Sequence, residues 1–161
     1  PEKLKGFYAV THEAYMNEAI KLARRAAQLE EAPVGCVIVR ENKIVGRGFN
    51  LRETGKNALN HAELIAIRDA CKTLGGWRLC GCDLYVTLEP CPMCAGAMIN
   101  ARIENVYFGA FDPKAGACGS VVNLFDLPFN HKPRVTGGVS EPECAGLLSD
   151  FFANLRKGRN L

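Results

Sequence analysis

The stretch that decides the fold is Val86-Thr-Leu-Glu-Pro-Cys-Pro-Met-Cys-Ala-Gly-Ala-Met98, near the middle of the chain. Its pattern predicts the end of a strand, a turn and then a helix that begins near Cys91. Cys91 and Cys94 are three positions apart, so they share one face of that helix. Two thiolates on the first turn of a helix make half of a zinc site. The N-terminus of the helix also helps to hold them as anions.

The other half of the predicted site is Asn60-His61-Ala62-Glu63. One histidine and two cysteines give zinc three protein ligands and leave the fourth position to water, which is the arrangement of a catalytic zinc. Glu63 is the nearby carboxylate with a path to that water, and hydrolytic removal of an amine needs such a proton shuttle. His-x-Glu followed by Pro-Cys-x-x-Cys is the signature of the zinc-dependent nucleobase deaminases.

Two other interpretations of Cys91 and Cys94 are a thiol redox pair and half of a zinc ribbon. A ribbon needs a second Cys-x-x-Cys, and Cys80-Gly-Cys82 has the wrong spacing. A redox pair would not explain Pro90 or the upstream His-x-Glu. Catalytic zinc therefore remains the favoured interpretation.

Length and composition predict one domain over residues 1–161, with 48% apolar and 23% charged residues. No apolar run approaches the roughly 20 residues of a membrane span, and residues 1–10 lack the long apolar segment of a signal peptide. Three of the eight cysteines, Cys36, Cys71 and Cys144, have apolar neighbours and are predicted to be buried thiols. We therefore expect a cytoplasmic protein without structural disulfides or membrane contact.

The hydrophobic patterns predict an α/β protein. Helices are expected over residues 11–30, 61–75, 91–101 and 141–157, and strands over 34–39, 44–49, 83–87, 103–108 and 134–139. Thr11 is a reasonable N-cap for the first helix. The strand–helix–strand order after residue 83 predicts a mostly parallel sheet flanked by helices.

Some side chains outside the metal motif have both a plain and a functional interpretation. Asp112 precedes Pro113 and suits the cap of a turn. Phe151 and Phe152 cannot both face the core from adjacent helical positions, so one should be partly exposed. Beside Arg156 and Lys157, an exposed aromatic suits a stacking platform for an unpaired base, or alternatively a dimer contact. His12 and His131 are expected to be surface or loop histidines.

Over nearly its whole length, from Tyr15 to about Lys157, the chain resembles the bacterial tRNA-specific adenosine deaminases of the cytidine-deaminase superfamily. Segments 108–114 and 149–152 point to the tRNA branch. Asn60 is a departure, since a small residue usually precedes the zinc histidine in that family. The other matching segments are Ala32-Pro-Val-Gly35, Gly48-Phe-Asn50, His61-Ala-Glu63, Leu84–Met98 and Asn130-His131.

The resemblance implies a three-layer cytidine-deaminase-like fold with a five-stranded mixed sheet. It implies one zinc ion per chain, a homodimer, and conversion of adenosine to inosine at the wobble position of a tRNA anticodon. Asn50 would hydrogen-bond the flipped base, while Val34 and the Leu88-Glu89 backbone would wall it. The remaining contacts to the anticodon stem-loop would come from Asp112, Lys114, Asn130, Phe152 and Arg156.

Three rival functions stay open at this point. A free-base or nucleoside deaminase, acting on guanine or cytosine, would share the zinc motif without any anticodon contact. A catalytically silent RNA-binding subunit would not need the proton shuttle of Glu63. A thiol redox protein would lose its activity on alkylation but not on chelation.

Overall fold

The computed structural model describes residues 11–159. Residues 1–10, on which the signal-peptide prediction rests, and the side chain of Arg159 lie outside the description. The helices are α1 (His12–Gln28), α2 (Ala62–Leu74), α3 (Pro92–Ala101) and α4 (Glu141–Arg159), and the strands are β1 (Gly35–Arg40), β2 (Lys43–Phe49), β3 (Asp83–Leu88), β4 (Asn105–Ala110) and β5 (Arg134–Thr136). A single 3₁₀ turn, Leu124–Asp126, follows β4 within this range.

The predicted elements are confirmed to within a few residues at each end. Thr11 is the N-cap of α1, and its hydroxyl accepts a hydrogen bond from the Ala14 N–H at 3.2 Å. All eight cysteines are free thiols, although Cys71 is only half-buried. No helix in the described part of the chain is long and apolar enough to cross a membrane.

The five strands seen in residues 11–159 form one mixed sheet in the order β2-β1-β3-β4-β5. Strand β1 is antiparallel to both β2 and β3, whereas the pairs β3–β4 and β4–β5 are parallel. The expectation of a mostly parallel sheet is therefore wrong for half of the pairings. The physical reason is that the β1–β2 hairpin joins the sheet through β1, which then runs against β3.

Helices cover both faces of the sheet, as the three-layer prediction requires. On one face, α2 and α3 pack their small residues against alternate side chains of the central strands, among them Ile38, Val86 and Phe108. On the other face, α1 and α4 pack against the intervening side chains, including Val37 and Tyr85. Strand side chains alternate between the faces, so one strand supplies both cores.

Helix α2 lies unusually close to β2, and a glycine makes this approach possible. A Cβ atom at Gly48 would overlap the carbonyl oxygen of Ala62, the first residue of α2. The absence of a side chain at this point lets the N-terminus of α2 rest directly on the strand. Gly48 therefore determines how close to the sheet His61 lies, because His61 immediately precedes the helix.

Candidate active site

The site is built where the N-termini of two helices meet. His61 occupies the N-cap position of α2 and Cys91 occupies the N-cap position of α3, and neither side chain caps its own helix. Pro92 follows at the first position of α3, where a missing N–H costs nothing. The side chains of His61 and Cys91 are therefore free to point toward each other, and both positive helix ends favour a thiolate between them.

His61, Cys91 and Cys94 form a group of donor atoms that lie within 4.8 Å of one another. The Nδ1 atom of His61 is 3.6 Å from the Sγ atoms of both cysteines. Tetrahedral zinc, with Zn–N near 2.0–2.1 Å and Zn–S near 2.3 Å, places a nitrogen and a sulfur about 3.6 Å apart. The donor types and their separations therefore fit a zinc ion with three protein ligands.

Proton affinities in the cluster are strongly perturbed. A hydrogen bond from Cys94, despite the burial of Cys91, lowers the pKa of the Cys91 thiol to about 4. The same bond, together with burial, raises the pKa of Cys94, since the two thiols share one proton. A hydrogen bond to Cys91 raises the pKa of His61. Burial raises the pKa of the Glu63 carboxyl to about 7.

A cavity of about 510 Å³ opens onto His61, Glu63 and Cys91. Its volume is in the range of small-molecule sites. Six of the predicted substrate-binding residues line it, namely Val34, Asn50, Leu88, Asp112, Lys114 and Phe152. Asn130 and Arg156 do not line this cavity, and both side chains are exposed elsewhere on the surface.

Asn50 is held in place by three hydrogen bonds at the end of β2. Its backbone N–H donates to the Val34 carbonyl at 3.0 Å, and its side-chain Nδ2 donates to the Ala32 carbonyl at 3.2 Å. Its Oδ1 accepts from the Arg52 N–H at 3.1 Å. The amide keeps a second Nδ2 hydrogen for a ligand.

The position of Asp112 is compatible with both interpretations of this residue. Its Oδ1 accepts hydrogen bonds from the backbone N–H groups of Lys114 and Ala115, each at 3.1 Å, so it does cap a turn. It also lines the cavity. The turn that Asp112 caps therefore forms part of the cavity wall.

Besides three alanines, the lining residues that were not predicted are Arg52, Phe111 and Leu148, and Glu89 was predicted only through its backbone. Phe111 is 49% exposed and stands edge-on to Phe108. Its position one residue beyond a strand, beside Asp112, was a usable signal. Arg52 had the weaker signal of a lone cation two residues after Asn50. The side chain of Glu89 had none, because its partners are three backbone N–H groups and one serine hydroxyl in a distant loop.

The Glu89 carboxylate is buried, with 2% of the residue exposed. It accepts hydrogen bonds from the backbone N–H groups of Asp112, Cys118 and Ser120 and from the Ser120 hydroxyl. Burial by itself raises the pKa of Glu89, but these hydrogen bonds outweigh it and hold the pKa below its ordinary value.

The fold and the metal cluster together define a zinc-dependent deaminase. Residues 9–110 match the family model of the cytidine and deoxycytidylate deaminase zinc-binding region. The match covers the predicted ligands and Glu63, so the chain belongs to this family of zinc-binding deaminase domains. The zinc cofactor is therefore supported by the family as well as by the geometry.

Similar proteins give the branch of the family. A tRNA-specific adenosine deaminase of Bacillus subtilis is 54% identical over 146 residues, which are 90% of this chain and 91% of that protein. A solved tRNA:A34 deaminase, described as editing A to I at the wobble position of transfer RNA, superposes with a TM-score of 0.81 at 44% identity, over 83% of this chain and 98% of the other. The chain belongs to the tRNA-specific adenosine deaminase family.

The same fold also occurs with another substrate. A guanine deaminase from Bacillus subtilis superposes with a TM-score of 0.63 at 32% identity, over 94% of this chain and 96% of the other. The superposition confirms the cytidine-deaminase-like architecture. The fold alone therefore does not determine the substrate, which depends on the cavity and its rim.

Proposed function

We propose that this protein hydrolytically removes the 6-amino group of adenosine at the wobble position of a tRNA anticodon. The products are inosine and ammonia. The proposal rests on the side chains at the rim of the cavity. Two aromatic side chains, Phe111 and Phe152, and two cations, Arg52 and Lys114, line the same cavity as Glu63, and all four are exposed to solvent. Aromatic rings and cations around one opening suit an unpaired nucleotide within a polyanion.

His61, Cys91 and Cys94 would hold the zinc ion, which when bound activates a water molecule at neutral pH. Glu63 is 4% exposed and lies in the first turn of α2, two residues from His61, facing the cavity. Its carboxylate takes one proton from the attacking water and delivers it to the ring nitrogen N1. It then takes the second proton, from the hydroxyl added at C6, and delivers it to the amino group, so that the C–N bond breaks and ammonia leaves as a neutral molecule. The exposed base edge is oriented by Asn50, whose amide is fixed by its backbone partners.

The wobble nucleotide suits this cavity because it is presented in a loop. The base can enter the cavity without breaking a pair, and its neighbours remain at the rim. Asp112, Lys114 and Phe152 line the cavity and would contact these neighbours. Asn130 and Arg156 lie outside the cavity and would contact the RNA at a distance from the reacting base.

A second copy of the chain is the proposed partner. Four large apolar side chains within residues 121–129 are at least 40% exposed: Val121, Val122, Leu127 and Phe129. The segment is anchored in the core by Phe125, in the same cluster as Met98 of α3. An ordered apolar surface of this kind is typical of a contact between proteins. We expect a homodimer in the cytoplasm, and light scattering of the purified protein would test it.

The direct test is incubation of the zinc-loaded protein with total bacterial tRNA, followed by detection of inosine and mapping of its position. Inosine at the first anticodon position is the expected result. Zinc-loaded protein that forms no inosine on any tRNA would contradict the proposal and favour a silent RNA-binding subunit.

The second candidate is a guanine or other free-base deaminase, which the likeness to the guanine deaminase favours. Ammonia release from guanine, adenine, cytosine and their nucleosides separates the two. A free-base enzyme needs neither the aromatic rim nor the cations, so its rate would not respond to added tRNA.

A further inference from the structure

Glu89 occupies an unusual position for a carboxylate. It directly follows β3 and precedes the zinc-ligand turn by two residues, and it is almost completely buried. Its partners are the N–H groups of Asp112 at 3.1 Å, Cys118 at 3.1 Å and Ser120 at 3.0 Å, together with the Ser120 hydroxyl. Every one of these donors lies in the loop that follows β4.

The residues of this loop lie outside the helices and strands, so their backbone N–H groups have no regular backbone partners. A buried carboxylate can accept hydrogen bonds from them. Backbone N–H groups away from water must find acceptors, and an ionised carboxylate offers two strong ones. The three backbone donors span residues 112–120, so one side chain ties both ends of the loop. Gly116 lies against the carboxylate, and a Cβ atom there would overlap it. The Ala117 N–H also donates to the Pro90 carbonyl at 2.8 Å.

The outer side of the same loop forms a wall of the cavity through Asp112, Lys114 and Ala115. Glu89 binds the backbone of Asp112, and the Asp112 side chain in turn binds the backbone N–H groups of Lys114 and Ala115. The position of the Lys114 cation at the rim therefore depends on Glu89 through two successive sets of hydrogen bonds.

We propose that Glu89 is a positioning residue for the RNA substrate: its carboxylate holds loop 112–120 in the shape that binds the nucleotides beside the reacting base. Because Glu89 is joined to Cys91 through Pro90, it also fixes this wall relative to the metal ligands. The role rests on the proposed function for its substrate, but the loop contacts themselves do not.

The test compares Glu89→Gln with Ser120→Ala and with Glu104→Gln. Glu104 is an exposed carboxylate that directly precedes β4 and pairs with Arg134. Glutamine keeps the shape of Glu89 but turns one acceptor into a donor that faces backbone N–H groups. For Glu89→Gln we expect the KM for an anticodon stem-loop RNA to rise by at least about tenfold, with kcat much less affected. Ser120→Ala should give a smaller rise, and Glu104→Gln none.

Two further measurements separate positioning from general damage. Amide hydrogen exchange, without RNA, should accelerate in residues 112–120 of Glu89→Gln and stay unchanged in α2, and zinc content should remain at about one per chain. Wild-type KM and exchange in this variant would overturn the proposal. A rise in KM matched by loss of zinc would overturn it too, since Glu89 would then act on the metal site.

Should Glu89→Gln not fold, the same measurements on Ser120→Ala decide the matter, because that change removes one donor and leaves the carboxylate. Failure of the wild-type protein to form inosine would overturn the proposed function instead. The exchange rates of loop 112–120 need no RNA, so they would still test the action of Glu89 on the loop.

Discussion

The Nδ1 atom of His61 lies 3.6 Å from the Sγ atom of Cys91, although the two residues are 30 positions apart in the chain. Each residue is the N-cap of its helix, and the two helices α2 and α3 lie on the same face of the sheet. The separation is the one that two ligands of a single tetrahedral zinc ion adopt. The helix starts are therefore placed to form a metal site.

Metal binding gives the first prediction. The purified protein should contain about one zinc per chain, and X-ray absorption should show one nitrogen and two sulfur protein ligands. Cys91→Ser should lose zinc and deaminase activity together, because a hydroxyl is a poor zinc ligand at neutral pH. Cys80→Ser, at an exposed cysteine outside the cluster, is the matched control and should lose neither. A zinc site with four sulfur ligands would contradict the assignment.

Proton transfer by Glu63 gives the second prediction. Glu63→Ala should keep the fold, the zinc and RNA binding, but slow the single-turnover rate by roughly 10²–10⁴-fold or more. Glu18→Ala, on the exposed side of α1, should leave the rate unchanged. A near-normal rate in zinc-loaded Glu63→Ala would mean that another group moves the protons.

The metal ligands could be predicted from sequence because their signal is local. A proline-flanked Cys-x-x-Cys at a helix start and a His-x-Glu at another helix start each have a fixed spacing. The cavity wall could not be predicted in this way. Glu31 and Glu89 are both buried, and both bind backbone N–H groups of loops distant in the chain. A glutamate in a sequence is expected to be exposed, and backbone donors leave no pattern.

The relative directions of the strands could also not be predicted in full from the sequence. Two apolar segments, 34–39 and 44–49, on either side of a short turn predict that β1 and β2 form a hairpin, and the structure confirms it. Nothing in that pattern tells whether β1 runs parallel or antiparallel to β3. The packing of α2 on the hairpin depends on Gly48, where the pattern shows only a small residue in a strand.

The close contact at Gly48 gives the third prediction. Gly48→Ala should lower the free energy of unfolding by about 1–3 kcal/mol, because the new Cβ overlaps the Ala62 carbonyl and pushes α2 off the strand. Zinc should also bind more weakly, since His61 precedes Ala62. Gly146→Ala in α4, where the new Cβ meets no atom within 4 Å beyond its chain neighbours and the backbone of its own helix, should be neutral or stabilise the protein by about 0.5–1 kcal/mol. Urea unfolding and zinc titration measure both effects, and equal behaviour of the two variants would contradict the packing argument.

The last prediction concerns α4, which lines the cavity through Leu148 and Phe152. Phe151 is half-buried, whereas Phe152 is 45% exposed and lines the opening, so the adjacent aromatics do divide between core and surface. Phe152→Ala should weaken binding of an anticodon stem-loop by roughly 1–3 kcal/mol, the value of one lost base stack. Arg156→Gln should lower the dependence of binding on salt by about one ion, because a single phosphate contact is removed.

Trp77→Ala is the control for Phe152, since it removes a similarly exposed ring just beyond the C-terminus of α2, away from the metal site. Affinity and its salt dependence should be measured for all three variants with zinc present. If Phe152→Ala and Trp77→Ala bind the stem-loop equally well, α4 does not contact the RNA, and the exposed ring of Phe152 then belongs to a protein contact or to a free-base site.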